Sequence, residues 1–114
     1  MQINLSSQEG ARVVAPVGRI DQNSAEAFQL GLEPHLSACT QDAPALVLDF
    51  GGVEYISSVG LRVLMLAARQ ARTQGGRIAI AALQPIVREV FEISRFHLVL
   101  PVFDNVDAAA RGPA

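Results

Sequence analysis

Two short, almost unbroken apolar runs constrain this chain more than any other feature. Ala45 to Phe50 (ALVLDF) and Arg77 to Ala82 (RIAIAA) are too short for independent helices and lack the alternation of a half-exposed strand. They read as strands buried on both faces. Between them, Ser58 to Thr73 is rich in helix formers and contains no proline. A buried strand, a helix and a second buried strand require a right-handed crossover and a parallel pair.

The rest of the chain extends that unit. Met1 to Leu5 and Ala11 to Gly18 read as strands around a Glu9-Gly10 turn, and Pro16 predicts that the second is an edge strand or loses its pairing there. A first helix starts near Asn23, which has capping-box spacing to Glu26, or at Ser24, and runs toward Ser37, weakened by Gly31 and Pro34. Leu61, Leu64, Met65 and Ala68 share one face of the central helix, Arg62, Arg69 and Arg72 the other, and Gly75-Gly76 ends it. A third helix is expected from Pro85 to Ile93 with Ile86, Val90 and Ile93 inward. A last strand is expected at Leu98 to Val102 and a short helix at Asn105 to Ala110, with residues 107–114 as a loose tail. The order β-β-α-β-α-β-α-β-α predicts one α/β domain with a mixed, mostly parallel sheet covered by helices mainly on one face. Its predicted core is Val47, Leu48, Phe50, Leu61, Leu64, Met65, Ile78, Ile80, Val90 and Phe91.

Composition narrows the function. A chain of 114 residues fits one domain, and half of them are apolar, enough for a core without disulfides or metal. Nine basic and eleven acidic residues give a net charge of −2, which argues against nucleic acid as a partner. Every basic residue is Arg, so no lysine is available for a P-loop or a Schiff base. Cys39, His35 and His97 are too few for a structural zinc site, and no other metal or cofactor is expected. The longest apolar runs, such as Val63 to Ala68, are far short of a membrane span, and MQINLSSQEGARVV does not read as a signal peptide. The expectation is a soluble, cytoplasmic protein without membrane insertion.

No GxSxG, HExxH, GxxxxGK[ST] or GxGxxG occurs. His97, Ser58 and Asp49 are the residue types of a hydrolytic triad, but nothing in their spacing unites them, and no catalytic residue is assigned. The unusual feature is Ser57-Ser58, two hydroxyls between a strand and the start of a helix. Either could cap that helix. The same helix end, with free N–H groups and a positive dipole, also tolerates a phosphate carried by a serine. Arg62 lies one turn further on the same face, within reach of a phosphate or an acidic partner.

Several motifs in register resemble one family. Leu48-Asp49 with the Gly52-Val53 turn, Ile56-Ser57-Ser58-x-Gly60-Leu61, Gly75-Gly76, Pro85 and Phe91-Glu92-Ile93-Ser94 follow one another as in the anti-sigma-factor antagonists, stand-alone STAS domains of bacterial partner switching. Gly18-Arg19-Ile20-Asp21 resembles that family's G-x-[LIV]-D segment. The resemblance covers nearly the whole chain and implies a STAS fold. It also implies that the unphosphorylated protein binds an anti-sigma factor that is a GHKL-type serine kinase, releasing a sigma factor. Phosphorylation of one serine switches this off, and a serine phosphatase restores it. The family pattern D-S-[SA]-G-L places that serine at Ser58, with Ser57 as an alternative acceptor where an acidic residue often stands and Val59 in the small-residue slot. By the same resemblance Asp21, Asn23 and Ser24 border the kinase, with Ser57, Val59, Gly60 and Arg62 completing the partner surface.

Two other functions fit the same residues. One is a constitutive STAS scaffold subunit of a transporter or a stress-signalling complex, and the other is a hydrolase using Ser58. The second requires base and oxyanion geometry that sequence cannot supply.

Overall fold

The computed structural model describes residues 1–112. β1 (Gln2–Gln8) and β2 (Ala11–Ile20) form an antiparallel hairpin, followed by α1 (Ala25–Ser37), β3 (Leu46–Asp49) and β4 (Val53–Ile56). α2 (Ser58–Thr73), β5 (Ile78–Ala81), α3 (Pro85–Ile93), a 3-10 turn at Phe96–Leu98, β6 (Val102–Phe103) and α4 (Val106–Arg111) complete the chain. The sheet order is β1-β2-β3-β5-β6, with β4 also paired to β2. Every pairing except β1–β2 is parallel, as the crossovers require.

β4 is a strand the sequence reading did not separate from the serine-rich turn, and it changes the role of β2. Far from being an edge, β2 has neighbours on both sides: β1 on one, and on the other β3 at residues 12–14 and β4 at 18–20. The amides of Arg12 and Gly18 donate to Ala45 O and Gly52 O, so even-numbered residues of β2 point their N–H groups toward β3 and β4. Pro16 has this parity and falls where β3 has ended and β4 has not begun. Its missing donor therefore costs the sheet no ladder bond.

The core has two layers. α1, α2 and α3 cover the main face through Phe28, Leu32, Phe50, Ile56, Leu64, Ile80 and Phe91, all essentially inaccessible. Α smaller cluster of Val13, Val47, Ala79, Ala81 and Ala109 lies on the opposite face under α4. The expected loose tail is thus helical as far as Arg111, anchored by a fully buried Ala109 and capped by Asn105 Oδ1, which accepts from Ala108 N at 2.8 Å. The last two residues of that tail, 113 and 114, lie outside the described residues.

Three further expectations change. α3 is turned so that Val87 and Phe91 face inward; Ile86 and Ile93 are 55% and 77% exposed, and Val90 is half-buried. Phe91 dictates that rotation by packing edge-on against Phe96, ring centroids 5.2 Å apart. On α2 the face is centred on Leu64, Ala67, Ala68 and Ala71, leaving Leu61 and Met65 at its margin, half-buried. The last strand is only two residues long, because Arg95 (φ 57°) leads the chain into a 3-10 turn and Pro101 lacks a donor; pairing starts after it.

The two helices that frame the site are fixed at their far ends by one side chain. Gln74 Nε2 donates to Leu36 O at 2.9 Å and Cys39 O at 2.7 Å, satisfying carbonyls at the C-terminal end of α1 from the end of α2. α2 itself closes with Gly75 N on Arg72 O and Gly76 N on Ala71 O, with Gly75 left-handed at φ 76°.

Candidate functional site

Two adjacent strand ends build the site. β2 and β4 run parallel and side by side, so the loops leaving their C-terminal ends, residues 21–24 and 57–58, emerge together. The backbone ties them: Ser57 N donates to Ile20 O at 2.9 Å. Gly60 tightens the junction. A Cβ there would stand 2.8 Å from Ile20 Cγ2 and 2.7 Å from Ile56 Cγ1, so only glycine lets the first turn of α2 sit this close.

The two serines have separate tasks. Ser57 is the N-cap of α2, extended at φ −92° and ψ 175°, and its Oγ accepts from Gly60 N at 3.4 Å. It is half-buried. Ser58 follows as the first helical residue and is exposed. The cap serves Gly60 N, and position alone leaves the amides of Ser58 and Val59 without an intrahelical acceptor. An exposed hydroxyl therefore stands where free donors and the positive end of a sixteen-residue helix converge.

The neighbouring loop is closed on itself. Asp21 Oδ1 accepts from Asn23 N at 3.0 Å and lies 3.4 Å from Ser24 Oγ. Ser24 Oγ donates to Arg19 O at 2.7 Å and accepts from Asp21 N at 3.0 Å. Ser24 is the N-cap residue of α1 by position, yet its hydroxyl makes no cap bond, being turned back into the loop. The expected capping box with Glu26 does not form. Asp21 O instead receives Ser24 N and Ala25 N, which starts the helix from the backbone.

Arg19 and Tyr55 belong to this site, although the sequence reading did not single them out. They are direct partners across β2 and β4, and the Arg19 guanidinium stacks 4.5 Å above the Tyr55 ring. Its Nε also lies 3.9 Å from Asp21 Oδ2. The G-x-[LIV]-D segment contains Arg19, but its pairing with Tyr55 could only be read by recognising β4.

Of the expected partner-facing residues, Asn23, Ser58, Val59 and Arg62 are exposed, while Asp21, Ser24 and Ser57 are half-buried. Gly60 is the correction: it is buried and contributes close packing, with no surface to offer. Arg62 makes no ion pair among the described residues and lines an open groove of about 570 Å³ between α1 and α2, with Gln22, Glu26, Leu30, Val59 and Leu66.

Among the described residues no hydrogen bond joins Ser58, His97 and Asp49. Asp49 Oδ1 accepts from Gly51 N at 2.9 Å, and His97 lies exposed in the 3-10 turn after α3, on elements other than α2. Among the described residues no cluster of His, Cys, Asp and Glu could hold a metal ion, and no helix is long and apolar enough to cross a membrane.

Comparison with known proteins agrees with the fold and with the family resemblance. Residues 2–109 match the STAS domain family model. The chain is 40% identical over 111 residues to a Bordetella bronchiseptica protein named as an anti-sigma factor antagonist, BtrV, covering 96% of this chain and 92% of that protein. An anti-sigma factor antagonist from Mycobacterium paratuberculosis superposes with a TM-score of 0.81 at 25% identity, covering 96% and 93% of the two chains. The phosphorylated form of the Bacillus cell fate determinant SpoIIAA superposes at 0.67 and 16% identity over 98% and 100%, a likeness of fold alone.

Proposed function

Because the chain belongs to the STAS domain family and, within it, to the anti-sigma factor antagonists, we propose that it is a phosphorylation-gated binding module acting in the cytoplasm. In its unphosphorylated form it binds an anti-sigma factor that is also a serine kinase, which releases the sigma factor. The kinase phosphorylates Ser58, and a serine phosphatase reverses this. The protein acts by binding and needs no cofactor or catalytic residue of its own.

The observation that carries this reading is the division between the serines. Ser57 is committed to the cap, whereas Ser58 is exposed at the first helical position beside the Asp21 loop. Phosphorylation adds about −1.5 to −2 charges and three acceptor oxygens. On the free domain the end of α2 offsets much of that charge, so the fold changes little. In an interface the phosphate must shed water and meet any acidic surface, at a cost of roughly 3–5 kcal/mol. That corresponds to a loss of about two to three decades in affinity or more.

The test is capture of partners from the native cell with wild-type, Ser58→Ala and Ser58→Asp proteins, followed by calorimetry with the purified kinase and phosphosite mapping after incubation with ATP. The reading requires an ATPase of the kinase class retained by Ser58→Ala and lost by Ser58→Asp, with phosphate on Ser58. Phosphate confined to Ser57, or equal affinity of the two variants, refutes it.

A further inference from the structure

The sheet has one long unprotected edge. β1 spans seven residues, QINLSSQ, about 24 Å of strand, with no charge, no proline and no break in its register against β2. These are the devices by which edge strands ordinarily avoid pairing with another chain. The other path end, β6, is only two residues long.

The outward-facing backbone groups follow from the register. Even-numbered N–H groups of β2 point toward β3 and β4, so Val13, Ala15 and Val17 point toward β1. Their partners Ser6, Asn4 and Gln2 therefore form the hydrogen-bonded pairs of the hairpin. Ile3, Leu5 and Ser7 turn their N–H and C=O groups away from the sheet. That makes three donors and three acceptors in a row, centred on Leu5. The side chains support the same centre. Ile3 is packed into the space left by Gly31 of α1, but Leu5, on the same face, is 58% exposed.

We propose that β1 is a self-association edge, on which a second copy of this chain pairs antiparallel about a two-fold axis through Leu5. In that register Leu5 faces Leu5, and Ile3 of each copy faces Ser7 of the other. All six outward groups are then satisfied, joining the two sheets into one. The match is self-complementary, as a two-fold interface demands. No charged residue lies within the paired strands, so no like charges meet, and the two Leu5 side chains cover each other. A single strand pair buries less than the ~1,200–2,000 Å² of a stable complex. The association is therefore weak and reversible. β2 lies between β1 and β4, so the pairing leaves the Ser58 surface open.

The experiment is sedimentation equilibrium of the full chain from about 5 µM to 2 mM, with hydrogen exchange by NMR at both ends of the range. We expect a monomer–dimer equilibrium, weakened about tenfold or more by Leu5→Lys and unchanged by Ser58→Asp. The amides of Ile3, Leu5 and Ser7 should exchange rapidly in dilute protein and slow as concentration rises, whereas those of Asn4 and Ser6 are protected throughout. A monomer at every concentration overturns the proposal. So does a dimer in which those three amides remain unprotected, a reading of the wild type that holds even if Leu5→Lys fails to fold.

Discussion

Gly60 is packed against Ile20 so closely that a methyl group on it would lie 2.8 Å from Ile20 Cγ2 and 3.2 Å from the Ile20 carbonyl oxygen. Gly60→Ala should therefore push the first turn of α2 away from β2. We expect a loss of about 1–3 kcal/mol, despite alanine's better helix propensity. Thermal denaturation checks the stability, and slower phosphorylation of Ser58 would report the displaced helix start. An increase in stability would show that the junction yields easily.

The two serines should separate by stability alone. Ser57→Ala removes the cap on Gly60 N and should cost about 1 kcal/mol, whereas Ser58→Ala, at an exposed first-turn position, should stay within about 0.5 kcal/mol of wild type. Urea denaturation of both variants decides it. The reverse order would mean that the serine roles had been exchanged.

Asp21 offers a contrast between charge and hydrogen bonding. Asp21→Ala leaves Asn23 N without its acceptor, while the Ser24 hydroxyl keeps its bond to Arg19 O, and should cost about 1 kcal/mol without unfolding the protein. Asp21→Asn can keep that acceptor while losing the long, partly exposed ion pair with Arg19 at 3.9 Å, so it should be nearly as stable as wild type. Kinase affinity measured for both variants then shows whether the partner reads the charge or only the loop's shape.

Leu64 is fully buried at the centre of the α2 face. Leu64→Ala should cost about 2–5 kcal/mol, read from the denaturation midpoint. Leu61→Ala, from the half-buried margin, should cost clearly less.

His35 should give stability a pH dependence. Its pKa is lowered, first by burial and then by the Arg12 charge, and its Nδ1 is buried without a partner among the described residues. The unfolded chain then binds this proton at a higher pH than the folded one, so the contribution to stability is full above the ordinary histidine value of about 6.5. It is lost as pH falls below that toward the lowered folded value. Denaturation midpoints measured from pH 7.5 down to 5 should fall less steeply for His35→Gln than for wild type. Identical slopes would remove His35 from the account.

Legibility in the sequence followed the physical origin of each element. The buried strands and α2 were readable because apolar runs and helical periodicity are local. β4 was not, because Val53–Ile56 has exposed Glu54 in place of an unbroken apolar run and its strand character depends on β2 lying beside it. The face of α3 was misjudged because Ile86, Val87, Val90, Phe91 and Ile93 are apolar around most of the helix, and the contact with Phe96 selects among them. At the site, Ser57-Ser58 and the Asp21 segment were visible as residues. Which serine caps, and that Ser24 turns its hydroxyl backward, depends on distances no spacing encodes.

The bond from Ser57 N to Ile20 O joins the two loops through atoms that every amino acid except proline carries. Side chains at 23, 59 and 62 can therefore be exchanged without loosening the strap that aligns them. Duplicated copies of such a gene could diverge in partner preference while inheriting the same rigid platform. Parallel signalling circuits could then coexist in one cell without cross-talk, distinguished by a few exposed residues on an otherwise shared frame.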